Sequence, residues 1–515
     1  MLEIINITNS EPCNALFDIL GQFHASKGNQ PFKRILQIVL AQGCRTILVE
    51  PDFKDEQWKG EHSWIYRKTF KNYPDTTKRL HFFTSKLKTE DLISLESRQE
   101  EYLGFCVLRP LESAKTSTAI IRPVIDTNEP KKSFLLCQKE FVVPIEVNAK
   151  NTQMLRIKGT PFTQQDGEVG CCSHAAINIV DNLLIDSEYG PTRETKKNAP
   201  YLTIDIAKLV DSIPYSGKQK PTEGLTPAVI AEVLKRLGYT PLFYQYGKDQ
   251  PPPPFPPEKI IYHYLESKIP IILGIPTYRG KHALTVVGHS FEPDLWWAVA
   301  ETPYYNRKPS GINYHCSTTW VQNFIIQDDN FGPYLTIPKE LLWYFEKDKL
   351  IIVVALPPGI FIQAEDAETI AYSLIASAAE IRKSQRSSLI VNDPSLFKWF
   401  DIFYDHSKKN DMVLRTWLIG SEIFKKSYVS PSTQSCYNSI ELPEKIWLTE
   451  ISIPELFSQK RLRLGEVLID PTGSKNRAPF LTIHLPGFMA TRNVETELLS
   501  FFDIPNDQPF EHIMR

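Results

Sequence analysis

At 515 residues, 42% hydrophobic and 23% charged, the chain is too long for one ordinary core and has the composition of a folded globular protein rather than a disordered one. Its 58 Lys+Arg against 60 Asp+Glu leave a formal net charge of −2, which argues against a global basic field for nucleic acid or anionic lipid. Eight scattered cysteines, two of them adjacent, are not the dense disulfide framework of a small secreted domain, so free thiols are expected.

The opening stretch MLEIINITNSEPCNALFDIL lacks the basic leader, apolar core and small-residue cleavage site of a secretory signal. No apolar run reaches the ~18 residues of a membrane span. The expectation is a cytoplasmic protein with no membrane partner. Residues 1–155 read as a mixed α/β region. Pro31 to Ala41 has helical spacing of Ile35, Ile38 and Val39 with Gly43 as a stop, and RTILVE, RLHFF, YLGFCVLRPL and TAIIRPVI read as strands. No function is readable there.

In residues 156–345, Cys172 to Ile185 carries Ala176, Ile179, Val180, Leu183 and Leu184 on one helical face, with Cys172 at the helix start. Thr226-Pro227 is an N-cap and first-turn pair opening a helix through Leu237 that Gly238 closes. The run PPPPFPP at 251–257 reads as a stiff extended spacer. An amphipathic helix near Ile260–Ser267 follows, then strand-like runs at Ile269–Ile275, Ala283–His289, Leu295–Ala300 and Phe324–Gln327. From 346 onward, KLIIVVAL leads into an alanine-rich helix near Asp366–Arg382. WLTEISI, GEVLID and PFLTIHLPG, with turns at Asp470-Pro-Thr-Gly and Pro486-Gly, then suggest hairpins or a small sandwich in a β-rich C-terminal part.

Chemistry concentrates in the middle segment. A cysteine hydrolase needs a thiolate, an imidazole to exchange its proton, a group to orient that imidazole and donors for the developing oxyanion. The run from Gln164-Gln165 to Cys171-Cys172 ends in a thiol where a helix begins, and the partial positive charge there lowers a thiol's pKa. Gln164 and Gln165 are candidate oxyanion donors. In the run from Gly280 to His289, His282 stands at the start of a buried strand just after a turn, which fixes the ring and leaves one face open. Phe324 to Tyr334 places Asp328 and Asp329 at a strand end, where a carboxylate can accept the ring N–H of His282.

The order of glutamine, helix-starting cysteine, His-Ala-x-x-Val-Val-Gly and strand-end aspartate resembles the papain-like cysteine peptidases. It resembles more closely the bacterial double-glycine peptidases that process bacteriocin leaders. Leu265–Leu273, with Lys268-Ile-Pro-Ile-Ile-Leu, matches the helix-strand prelude to the catalytic histidine strand in that family. The resemblance covers 156–345 and implies an α+β fold, a helical half holding the cysteine and a β half holding His282 and the aspartate, with hydrolysis through a thioester. Counting six residues from Gln165 selects Cys171 as nucleophile, whereas helix phase with Ala175-Ala176 selects Cys172. Asp328 comes first after the strand, as the family's residue does, with Asp329 as the alternative.

His174 and His289 read as structural, adjacent cysteines beside His174 lack the usual zinc-ligand spacing, and Asp328-Asp329 followed by Asn330 has the alternative readings of a turn or a weak cation site; no metal or cofactor is expected. Tyr262-His263-Tyr264 and Trp296-Trp297 read as packing rather than base stacking, so no nucleic-acid partner is expected. The reading is an intracellular cysteine peptidase or amidase acting on a peptide or protein, with Cys172, His282, Asp328 and Gln165 as its site and 1–155 and 346–515 as accessory regions. The competing readings are a non-catalytic scaffold of the same fold and a transglutaminase-like acyltransferase.

Overall fold

The computed structural model describes residues 2–8, 12–25, 29–123, 133–191, 193, 199–214, 224–248, 251, 253–278, 280–292, 314–386, 397–460, 462–473, 478–493, 496–504 and 508–511. It has helices and mainly antiparallel sheets in an α+β arrangement, organised around three large sheets.

The first sheet runs in chain order, Glu3–Asn6, Thr46–Phe53, Thr77–Phe83, Tyr102–Leu108, Thr116–Ile121 and Phe162–Thr163, every pair antiparallel. Alternate residues face opposite ways, as a strand's period of two requires. Ile47 and Val49 pack under the helices Pro12–Gln22 and Gln30–Ala41, whereas Leu48 packs with Val143, Ile145, Leu155 and Ile157 of the hairpin Lys139–Asn148 and Asn151–Gly159.

The second sheet has the order Thr240–Gly247, Lys349–Leu356, Ile271–Thr277, Gly280–Ser290, Asn323–Asp328 and Gly332–Pro338, again antiparallel. Ser133–Leu135 also pairs with Gly280–Ser290. A Cβ at Gly288 would stand 2.2 Å from the Phe134 carbonyl oxygen, so the glycine admits this crossing strand. The helices Cys172–Leu184, Pro227–Arg236 and Pro257–Glu266 share this sheet's core.

Sheet membership therefore crosses both expected boundaries. Thr163 belongs to the first sheet although it follows 155, Ser133–Leu135 belongs to the second although it precedes it, and Lys349–Leu356 belongs to the second although it follows 345. Strand pairing is set by long-range register, which local composition does not encode.

The third sheet runs His315–Cys316, Val413–Gly420, Lys445–Ser452, Gly465–Ile469, Phe480–Leu485, Phe488–Arg492 and Leu499–Asp503, with only the first pair parallel. It is one sheet covered by the helix Ala364–Arg386 rather than a sandwich. The expected turn at Pro486-Gly487 joins two paired strands. The core is continuous from the helix Cys172–Leu184 through the second sheet to Ala364–Arg386 and the third.

One local expectation holds, one needs adjustment and one lies outside the described residues. Thr226 does cap its helix by accepting from the Val229 N–H at 3.4 Å. The proline run is no free spacer at its far end, because Phe255 is buried and Pro257 opens the next helix at its first position. The expected strand Leu295–Ala300, with Trp296 and Trp297, lies outside the described residues.

Candidate active site

The loop before the helix Cys172–Leu184 is built on Asp166. Its Oδ1 accepts the N–H groups of Glu168, Val169 and Gly170 at 3.2, 2.9 and 3.1 Å, and the Tyr66 hydroxyl donates to Oδ2 at 2.8 Å. Gly167 takes the left-handed φ of +82° that this turn needs. Upstream, the loop is tied to the first sheet. The Gln164 carbonyl accepts from Arg109 Nη2 at 2.8 Å, the Gln164 Oε1 accepts the Thr116 N–H at 3.0 Å, and Arg109 is paired at 2.8 Å with buried Glu61.

Cys171 is the N-cap, with extended backbone (φ −117°, ψ 174°), and Cys172 is the first helical residue. His174 Nδ1 accepts the Cys171 N–H at 3.0 Å and lies 3.1 Å from Cys171 Sγ. The Cys171 thiol feels the adjacent Cys172 thiol and the Ser173 and His174 N–H groups at the helix start, and the His174 N–H donates to the Cys171 carbonyl oxygen at 2.9 Å. Accepting from Cys172, and from these helix N–H groups against the opposing effect of burial, holds Cys171 down to about 7. Donation to Cys171, with burial, pushes Cys172 up to about 12, while His282 and the Ala283 N–H pull it back. Burial lowers His174 to about 4, so it is neutral near pH 7.

Cys172 keeps partial solvent access, and its sulfur accepts the N–H of Ala283, the residue after His282, at 3.3 Å. His282 stands two residues into Gly280–Ser290, beyond a turn where Gly280 has φ +123°. The neighbouring strand places Asp328 beside it because Thr285 pairs with Gln327. His282 Nε2 is 3.0 Å from Asp328 Oδ1 and 3.6 Å from Asp329 Oδ1. Asn330 reinforces the pair, its N–H donating to Asp328 Oδ1 at 2.9 Å and its Nδ2 lying 3.4 Å from His282 Nδ1. Burial works against charge on His282, yet Asp328, Cys172 and Asp329 hold it up to about 10, well above its usual value.

The structure thus gathers Cys171, Cys172, His282, Asp328 and Asp329, and Asp328 is the one within hydrogen-bonding distance of the ring. Gln164 is anchored to Thr116, whereas Gln165 is half-buried and has no side-chain hydrogen bond among the described residues. Sequence reasoning missed Asn330, Tyr66 and Arg109, and took His174 as structural although it touches Cys171. Asn330 was within reach of inference, being adjacent to the acidic pair in a turn. Chemically, the set can hold a thiolate, exchange a proton with it and fix the ring that does so.

No family model matches the chain, and no curated protein matches it.

Proposed function

We propose that the chain is a cysteine hydrolase of the papain-like type acting on a peptide-type carbonyl, with Cys172 as nucleophile, His282 as base and Asp328 orienting His282. The observation that carries this reading is a partly exposed Cys172 thiol that accepts the N–H of Ala283 at 3.3 Å, next in the chain to His282, whose Nε2 is held 3.0 Å from Asp328. Cys172 and His282 share one proton as a thiolate–imidazolium pair; the thiolate attacks the carbonyl carbon, and the imidazolium gives its proton to the leaving amine. Water hydrolyses the thioester with His282 as base. Gln165 and the Cys172 N–H at the helix start serve the oxyanion. In this reading the helix Cys172–Leu184 and its neighbours are the helical half and the second sheet is the β half, with 1–155 and 346–515 as accessory regions and a peptide or protein as substrate.

A specific observation favours a second assignment of the nucleophile. Cys171 has its own imidazole at 3.1 Å and is the thiol held down in pKa. Iodoacetamide labelling across pH 5 to 9, with mass spectrometry resolving the two thiols, tests both. The expected result is fast labelling of Cys172 below pH 7 that falls at least ~100-fold in His282→Ala. Labelling confined to Cys171 and unaffected by His282→Ala would transfer the role to Cys171. Slow labelling of both with an ordinary thiol profile would leave the scaffold reading.

A further inference from the structure

Asp329 has no role in the hydrolytic reading. It is 3% exposed, and neither carboxylate oxygen has a hydrogen-bond partner. Its Oδ1 approaches the same ring nitrogen of His282 that Asp328 engages.

A carboxylate so placed is costly unless a proton or a cation meets it. The His282 imidazolium, 3.6 Å from Oδ1, meets the charge in part but makes no hydrogen bond to it. A cation between the three side chains meets all of them. Two ligand atoms at ~2.0–2.1 Å from a tetrahedral ion stand roughly 3.3–3.4 Å apart. The separations of 3.0 and 3.6 Å from His282 Nε2 bracket that spacing, and the three ligand atoms all lie within 4.8 Å of one another.

We propose that His282 Nε2, Asp328 and Asp329 form a binding site for a divalent first-row cation of the Zn2+ class, with the remaining position open to water. One nitrogen and two carboxylate oxygens suit such borderline ions. The other cluster of potential ligands among the described residues, His263, Cys316 and Glu368, is different. There the Lys259 ammonium already occupies the cation's place, 2.6 Å from Glu368 and 2.8 Å from the Tyr314 hydroxyl.

The consequence for the thiol rests on the hydrolase reading. With Nε2 held by Asp328, Nδ1 is the nitrogen left to face Cys172. On binding, the His282 imidazolium gives its Nε2 proton to solvent, the metal takes that lone pair, and the remaining proton stays on Nδ1. Such a ring donates to a thiolate but has no lone pair with which to take a thiol's proton. Metal occupancy and base action by His282 are therefore mutually exclusive, and the cation is an off-switch.

Titration of Co2+ into the full chain, followed by calorimetry and visible absorption, tests the site directly. The expected result is one equivalent bound in wild type and in Cys172→Ser, with no thiolate-to-cobalt charge-transfer band. Affinity should fall at least about tenfold in Asp329→Asn and in His282→Gln, each checked for native circular dichroism. Absence of Co2+ binding, or binding that Asp329→Asn and His282→Gln leave unchanged, would overturn the proposal. Binding lost in Cys172→Ser would assign the metal to the thiols and overturn it equally. Because Cys172→Ser still binds if the proposal holds, this result is independent of the labelling test, and either reading can fail without the other.

Discussion

The strand Gly280–Ser290 carries a histidine near each end, and each histidine holds a carboxylate, yet the two ends differ in what surrounds the pair. At one end His282 meets Asp328 at 3.0 Å beside a thiol with solvent access. At the other, His289 meets Glu266 at 2.6 Å, and Glu266 also accepts from Arg415, which is paired at 3.1 Å with Glu450, itself 3.1 Å from Arg463. That second network is sealed between the helix Pro257–Glu266 and the third sheet. Burial works against ionised Glu266, yet Arg415 and His289 hold it down to about 2. A buried histidine–carboxylate pair is thus no mark of catalysis on its own. The first end is distinguished by an adjacent thiol, an opening to solvent and a buried carboxylate without a hydrogen bond.

The largest expected effect comes from breaking the sealed end. Glu266→Ala leaves Arg415 with Glu450 alone and deprives His289 Nε2 of its acceptor, so the variant should lose about 3–5 kcal/mol. The midpoint of denaturant unfolding measures this, while iodoacetamide labelling of Cys172 in the folded fraction should keep its wild-type rate. A loss below about 1 kcal/mol, or altered labelling, would erase the contrast between the two ends.

The open end should be weaker in stability and stronger in pH dependence. Its folded pKa of about 10 lies above the ~6.5 of an unfolded histidine, so the native state binds the extra proton between those values. The contribution is fully present below pH 6.5 and is lost as pH rises toward 10. A charge-assisted hydrogen bond of this kind is worth roughly 2 kcal/mol. The unfolding difference between wild type and His282→Gln should therefore be about that size at pH 6 and shrink steadily to pH 10. A difference that grows over this range would show that His282 is neutral in the folded protein.

What the sequence made legible follows the range of the interactions involved. The helix Gln30–Ala41, the cap at Thr226 and the turn at Pro486-Gly487 rest on neighbours a few residues apart, and each is where its local signal puts it. Cys172, His282 and Asp328 could be singled out because each sits at an element boundary, a helix start, a strand start and a strand end. What could not be read were the pairings between distant segments. Ser133–Leu135 enters the second sheet and His315–Cys316 the third through register alone. Likewise Tyr66 and Arg109 stand in a region where no function was readable, and nothing around them announces their partners Asp166 and Gln164.

Those two residues bring the comparison to its smallest and most local form. If the thiol end is distinguished by positioning, the loop before Cys171 must be held by groups that stability alone would hardly require. Asp166 Oδ1 already takes three backbone N–H groups, and Tyr66 adds a single bond to Oδ2 from a different sheet's region. Tyr66→Phe keeps the ring against Trp58 and Tyr73 and removes only that hydroxyl, so it should cost about 1 kcal/mol in unfolding free energy. Its effect on Cys172 labelling below pH 7 should be a severalfold slowing, with the pH at half-maximal rate unchanged, because the loop shifts while His282 and Asp328 do not. If the pH midpoint moves instead, Tyr66 acts on the protonation of the thiol pair. If neither rate nor midpoint moves, the three backbone bonds to Asp166 hold the loop without help from the first sheet.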